Sequence, residues 1–84
     1  MTYSVFIRKS AQKALARIPS PFQDKIIGAI RSLARSPRPR GVKKLSNREA
    51  WRIRVGDYRV IYEIHEDRLV ILVVAIGHRG DVYR

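Results

Sequence analysis

Between Ala50 and Ile64 the chain reads "AWRIRVGDYRVIYEI", and apolar positions alternate with polar ones on both sides of Gly56-Asp57. Alternation of period two marks a half-buried strand, and a Gly-Asp pair between two such runs marks a two-residue hairpin loop. That loop sets Val55 opposite Tyr58, Arg54 opposite Arg59 and Ile53 opposite Val60. Trp51, Ile53, Val55, Tyr58, Val60, Tyr62 and Ile64 then share one face, which is the core face. Arg52, Arg54, Arg59 and Glu63 share the other.

The rest of the chain divides by the same reasoning. Tyr3 to Ile7 is short and rich in aromatic and β-branched residues, a strand. Ser10 is placed to cap a helix that runs to about Ile18, with Ala11, Ala14, Leu15 and Ile18 on one side, and Pro19 stops it. Ser20, Pro21 and Gln23 have the spacing of a capping box with proline at the first helical position. Phe22, Ile26, Ala29, Ile30 and Leu33 supply the second helix with an apolar stripe for packing on a sheet. Pro37 and Pro39 end regular structure and open a basic connector with Arg35, Arg38, Arg40, Lys43, Lys44 and Arg48. After the hairpin, "DRL" is a tight turn, and "LVILVVAIG" is too continuously apolar for an exposed strand, so it belongs in the sheet interior. The order β-α-α-β-β-β predicts a single α+β domain over residues 1–84, a helical hairpin packed on one face of a small, largely antiparallel four-stranded sheet.

Length and charge narrow the function. Eighty-four residues suffice for one modest core, and 45% hydrophobic with 30% charged residues describes a folded chain. Eighteen Lys and Arg against seven Asp and Glu give a formal net charge of +11, which favours a polyanionic partner over an ordinary metabolite. A membrane surface competes as the polyanion, but no stretch has the length of a spanning helix. The N-terminus "MTYSVFIRKS" lacks the features of a signal peptide, so a cytoplasmic protein is expected. Without cysteine there is no disulfide, thiolate metal site or Cys nucleophile.

Few catalytic schemes survive. His65 and His78 are the only histidines and no acidic cluster accompanies them, and no Gly-rich phosphate loop is present, so neither a metal nor another cofactor is expected. Ser36 or Ser46 with either histidine lacks the spacing of a nucleophilic site. What remains is Arg52, Arg54, Arg59, His78, Arg79 and Tyr83. Like charges directly opposite in a sheet destabilise it, by roughly 1 kcal/mol at ~5 Å under water-like screening. The hairpin therefore suits a bound anion, and forked guanidinium groups suit phosphate; the plainer alternative is solvated surface charge. Metal-free RNA cleavage by 2′-hydroxyl attack needs cations around the phosphorane, a group that takes the 2′ proton and one that protonates the leaving oxygen. Arginines meet the first need, and His78 and Tyr83 are the proton-transfer candidates, unless His78 is only a polar cap and Tyr83 only an anchor for the terminus. The basic connector either follows a nucleic-acid backbone or is simply solvated.

The element order, the "WRIRVGDYRVIYEI" hairpin and the ending "VVAIGHRGDVYR" resemble the RelE branch of the RelE/ParE superfamily, toxins of type II toxin-antitoxin systems. The resemblance spans nearly the whole chain. It implies a microbial RNase-like α+β fold and cofactor-free cleavage of mRNA in the ribosomal A site, leaving a 2′,3′-cyclic phosphate. It further implies charge stabilisation by Arg52, Arg54 and Arg59, leaving-group protonation or phosphate contact by Arg79, and base stacking or 2′-hydroxyl orientation by Tyr83. RNA or ribosome contacts fall to Arg35, Arg38, Arg40, Lys43, Lys44 and Arg48. This sequence departs from the family pattern in carrying arginine for lysine at positions 52 and 54, histidine for lysine at 78, and a shorter tail. Such toxins are neutralised by an antitoxin whose acidic or amphipathic segment wraps them, and operator DNA is contacted through that antitoxin. The alternatives are a ParE-like toxin that inhibits gyrase without cleaving RNA, and a basic nucleic-acid-binding module without catalysis.

Overall fold

A computed structural model describes residues 2–78 of the chain. The period-two segment forms β3 (Trp51–Val55) and β4 (Tyr58–His65), antiparallel with Arg54 opposite Arg59 and Val55 opposite Tyr58, the expected register. Gly56 has φ +62, which fits the first position of a type II′ hairpin loop, where a side chain would be strained. The apolar run forms β5 (Val70–His78), antiparallel to β4. On its other side β5 pairs in parallel with β1 (Ser4–Ile7), Ser4 beside Val70 and Ile7 beside Val73. A parallel neighbour requires a crossover, and α1 (Lys9–Ala16) and α2 (Phe22–Ser32) begin it over one face of the sheet.

The sheet has five strands rather than four, because Lys43–Lys44 of the connector forms β2 against Arg52 and Trp51. The strand order is β1-β5-β4-β3-β2. Two further expectations are corrected. Ser10 lies inside the first turn of α1 and Arg8 occupies the cap position without a side-chain cap bond. The Ser20/Gln23 capping box does not form either: α2 begins at Phe22, and Gln23 Nε2 instead donates to the Leu15 carbonyl at 3.0 Å. Leu15 is near the end of α1 and its carbonyl also accepts the Ile18 N–H at 3.1 Å, so the amide that could cap its own helix ties two helices together.

The main core lies between helices and sheet: Ala11, Ile18, Ile26, Ile30 and Leu33 meet Ile53, Val60, Tyr62, Ile71, Val73 and Ile76. Tyr62 is fully buried, while Trp51 and Tyr58 are partly so. The far face is not purely polar, as the hairpin alone suggested. Ile61 pairs with Ala75 but Tyr62 with Val73, so β5 carries one extra residue there, a bulge. Ala50, Ile61 and Val74 form a second, smaller buried cluster with Leu45, Leu72 and Ala75 packed against it. The far face thereby gains a firm floor beneath its charged side chains.

Tyr62 also anchors the connector. Its hydroxyl donates to the Pro37 carbonyl at 2.6 Å, and burial pushes its pKa up to about 12 against a smaller opposing pull from the Arg38 charge. The neutral phenol is thus favoured in the folded state. Its contribution is complete below about pH 10 and is lost as pH rises towards about 12, at no more than ~1.4 kcal/mol per pH unit. Tyr62→Phe is expected to cost about 1 kcal/mol at pH 7 and to flatten the loss of stability above pH 10, measured by urea unfolding at pH 7 and 11.

Candidate active site

The far face presents three arginines at graded depth. Arg52 is 9% exposed, Arg59 is partly buried and Arg54 is exposed. Register places Lys43, Arg52, Ile61 and Ala75 in one line across the sheet, and Arg54, Arg59 and Gly77 in the next. Gly77, beside Arg59 on β5, contributes no side chain. Among the described residues no carboxylate forms an ion pair with Arg52 or Arg54. Glu63 shares the face, yet it sits four residues along β4 from Arg59, ~13 Å at strand rise. Its oxygens are engaged by His65 Nε2 at 2.9 Å and Arg48 Nη2 at 3.8 Å. Glu63 is therefore engaged away from Arg52, and the largely buried Arg52 with Lys43 beside it in the register holds a positive potential that attracts an anion.

His78 does not join this group. It pairs with Tyr58, its ring meets the Tyr58 ring edge-on at 5.4 Å, and Tyr58 in turn lies 6.0 Å from Phe22 of α2. The imidazole is therefore on the helix side of the sheet, opposite the arginines. Ile76 was the signal: a core residue two positions earlier on one strand shares its face with His78. Arg79 and Tyr83 lie outside the described residues.

The connector is less free than its composition suggests. Arg38 pairs with Glu66 at 2.9 Å and lies over the Trp51 ring at 4.8 Å. Lys44 pairs with Glu49 at 3.2 Å and sits 5.9 Å from the same ring, and Arg48 is held by Glu63. Those three cations brace the connector against the sheet. Among the described residues no ion pair holds Arg35, Arg40 or Lys43. Lys43, next to Arg52 in the register, extends the cationic surface to the β2 edge.

Among the described residues no group of three or more His, Cys, Asp or Glu side chains could hold a metal ion, and no helix is long and apolar enough to cross a membrane. A cationic row on one sheet face can bind and polarise a phosphodiester. A family model described as the ParE toxin of type II toxin-antitoxin systems, parDE, matches residues 5–83. The chain belongs to this family. Within the wider RelE/ParE superfamily its likeness runs to RelE-named proteins. Toxin RelG of Mycobacterium tuberculosis (strain ATCC 25618 / H37Rv) is 29% identical over 90 residues, covering 100% of this chain and 99% of the relative. Among solved structures, the archaeal RelE-RelB complex from Pyrococcus horikoshii contains a chain 34% identical, with a TM-score of 0.85 and coverage of 98% of this chain and 100% of that one. The isolated Escherichia coli RelE toxin superposes with a TM-score of 0.81 over 96% of this chain and 88% of that one; at 19% identity that likeness is one of fold alone. The RelE-like α+β fold expected from the sequence is the fold observed, with β2 added at the edge.

Proposed function

We propose that this toxin is a metal-independent endoribonuclease that cleaves mRNA in the ribosomal A site and so stops translation. The row of Arg52, Arg54 and Arg59 on one sheet face carries the reading, because three guanidinium groups gathered there suit the oxygens of a phosphodiester. A 2′-hydroxyl attacks the adjacent phosphate and the 5′-oxygen leaves, giving a 2′,3′-cyclic phosphate and a 5′-hydroxyl. Guanidinium groups stabilise the charge that builds on the non-bridging oxygens. They stay protonated and do not take the 2′ proton. By resemblance, Arg79 protonates the leaving oxygen or contacts the phosphate, and Tyr83 stacks on a base or orients the 2′-hydroxyl. His78 is left out of the proposed site because its ring packs on the other face.

Arg35, Arg40 and Lys43 remain as the connector's contacts to ribosome and message. The partner is an antitoxin with an acidic or amphipathic segment, suited to a chain of net charge +11; the RelE structures similar to this one include complexes with RelB. Operator DNA is contacted through that antitoxin, and the toxin acts in the cytoplasm. Primer extension on a reporter mRNA in a purified translation system tests the reading. Cuts inside A-site codons that need ribosomes and vanish with Arg79→Ala are expected. The match to a ParE family model favours a second reading, inhibition of DNA gyrase: intact mRNA together with trapped gyrase-DNA cleavage complexes would establish that one instead.

A further inference from the structure

The turn that delivers the chain into β2 also builds a pocket beside the arginine row. The Pro39 carbonyl accepts the Val42 N–H at 3.1 Å and Gly41 has φ +87, the pattern of a type II turn with Arg40 at its first corner. Since β2 pairs only with Trp51 and Arg52, β3 beyond that point has no strand beside it on this edge. Between the turn, that open edge and α2 lies a cavity of about 330 Å³. Its apolar lining comes from Ala29, Pro39 and Ile53, and its charge from Arg40 and Arg54. Ser32 also lines it; the hydroxyl donates to the Gly28 carbonyl at 3.0 Å, which leaves its oxygen able to accept a hydrogen bond.

An apolar lining, two guanidinium groups and one acceptor match the parts of a nucleotide: ring, phosphate, and an amino or imino donor. The volume is at the lower end of the range for small-ligand sites, adequate for one such unit. Arg54 belongs both to this pocket and to the row opposite Arg59, so whatever occupies the pocket is next to a phosphate held by that row. We propose that the pocket binds one nucleotide flanking the scissile phosphate, base against Ala29, Pro39 and Ile53 and phosphate between Arg40 and Arg54. It thereby sets which sites in an RNA are cut. The link to cutting rests on the ribonuclease reading, whereas nucleotide binding does not.

Titration of the isotope-labelled protein with the four nucleoside 5′-monophosphates, and with inorganic phosphate for comparison, tests the binding. At least one monophosphate is expected to bind tenfold or more tighter than phosphate, with saturable amide shifts at Ala29, Ser32, Arg40 and Gly41. Ala29→Met, which fills the cavity, should reduce its affinity to that of phosphate, and Arg40→Ala should weaken it about tenfold. In cleavage mapping, Arg40→Ala should flatten the ranking of cut sites, whereas Arg59→Ala should depress all sites alike. Nucleotide binding at the pocket by a wild-type protein that cuts no RNA would overturn the ribonuclease reading and leave the pocket assigned. Monophosphates that bind no better than phosphate would overturn the pocket, and so would an acidic peptide such as pentaglutamate shifting these amides when monophosphates do not.

Discussion

Arg59→Ala is expected to slow mRNA cleavage by on the order of 10² or more, the usual loss when one donor to a developing oxyanion is removed. Arg59 stands at the middle of the site by register, with Arg54 opposite on β3 and the side-chain-free Gly77 on β5. A partly buried guanidinium there acts in a medium less screening than water, so its charge counts for more than that of exposed Arg54. Arg59→Lys separates charge from shape. It keeps the cation but loses the planar fork that grips two phosphate oxygens, so a residual loss of about tenfold is expected. Single-turnover cleavage of a ribosome-bound message gives both numbers, with circular dichroism to show that the fold persists. Rates unchanged in both variants would remove Arg59 from the site.

The second expectation runs in two directions at once. Arg52→Met should lower cleavage by on the order of 10² or more while raising stability by about 1–2 kcal/mol. Arg52 as a residue is 9% exposed, lies between Lys43 and Ile61 in the register, and has no carboxylate pairing with it among the described residues. Methionine fills similar space without the desolvation cost and without a like charge beside Lys43. A protein selected for folding alone would have such a residue there. Urea midpoints and cleavage rates on the same preparations check both halves. A variant that is less stable and fully active would show that Arg52 serves the fold, and the anion-binding account of the row would lose its buried member.

How far the sequence leads depends on how local the determining physics is. The β3–β4 register was legible to the residue because a two-residue loop and a period of two leave no freedom. The apolar stripe of α2 was legible in its later turns, where Ile26, Ile30 and Leu33 are buried as it pointed, whereas Phe22 at its start is 45% exposed. Helix starts were misjudged where a side chain had two partners to choose from. Gln23 had a local cap and a distant carbonyl on α1, and the distant one won. Strand β2 has no signature of its own, since Lys43 and Lys44 are extended only because β3 offers an edge. Likewise the connector contains no acid between Arg35 and Arg48; Lys44 is braced by Glu49 just past its end, but Arg38 and Arg48 are braced by the distant Glu66 and Glu63. Local composition holds no record of those two distant pairings.

By itself, then, the sequence determined the α+β class, the order of the main elements, the hairpin and the gathering of Arg52, Arg54 and Arg59 on one face, because turn chemistry and alternation act between near neighbours. Only the tertiary structure decided the parallel β1–β5 pairing, the bulge at Val74 that floors the far face, the depth of Arg52 and the side of the sheet on which His78 packs. Each of these depends on contacts between segments far apart in the chain, where the competition among partners is settled by packing and desolvation rather than by any residue's own preference.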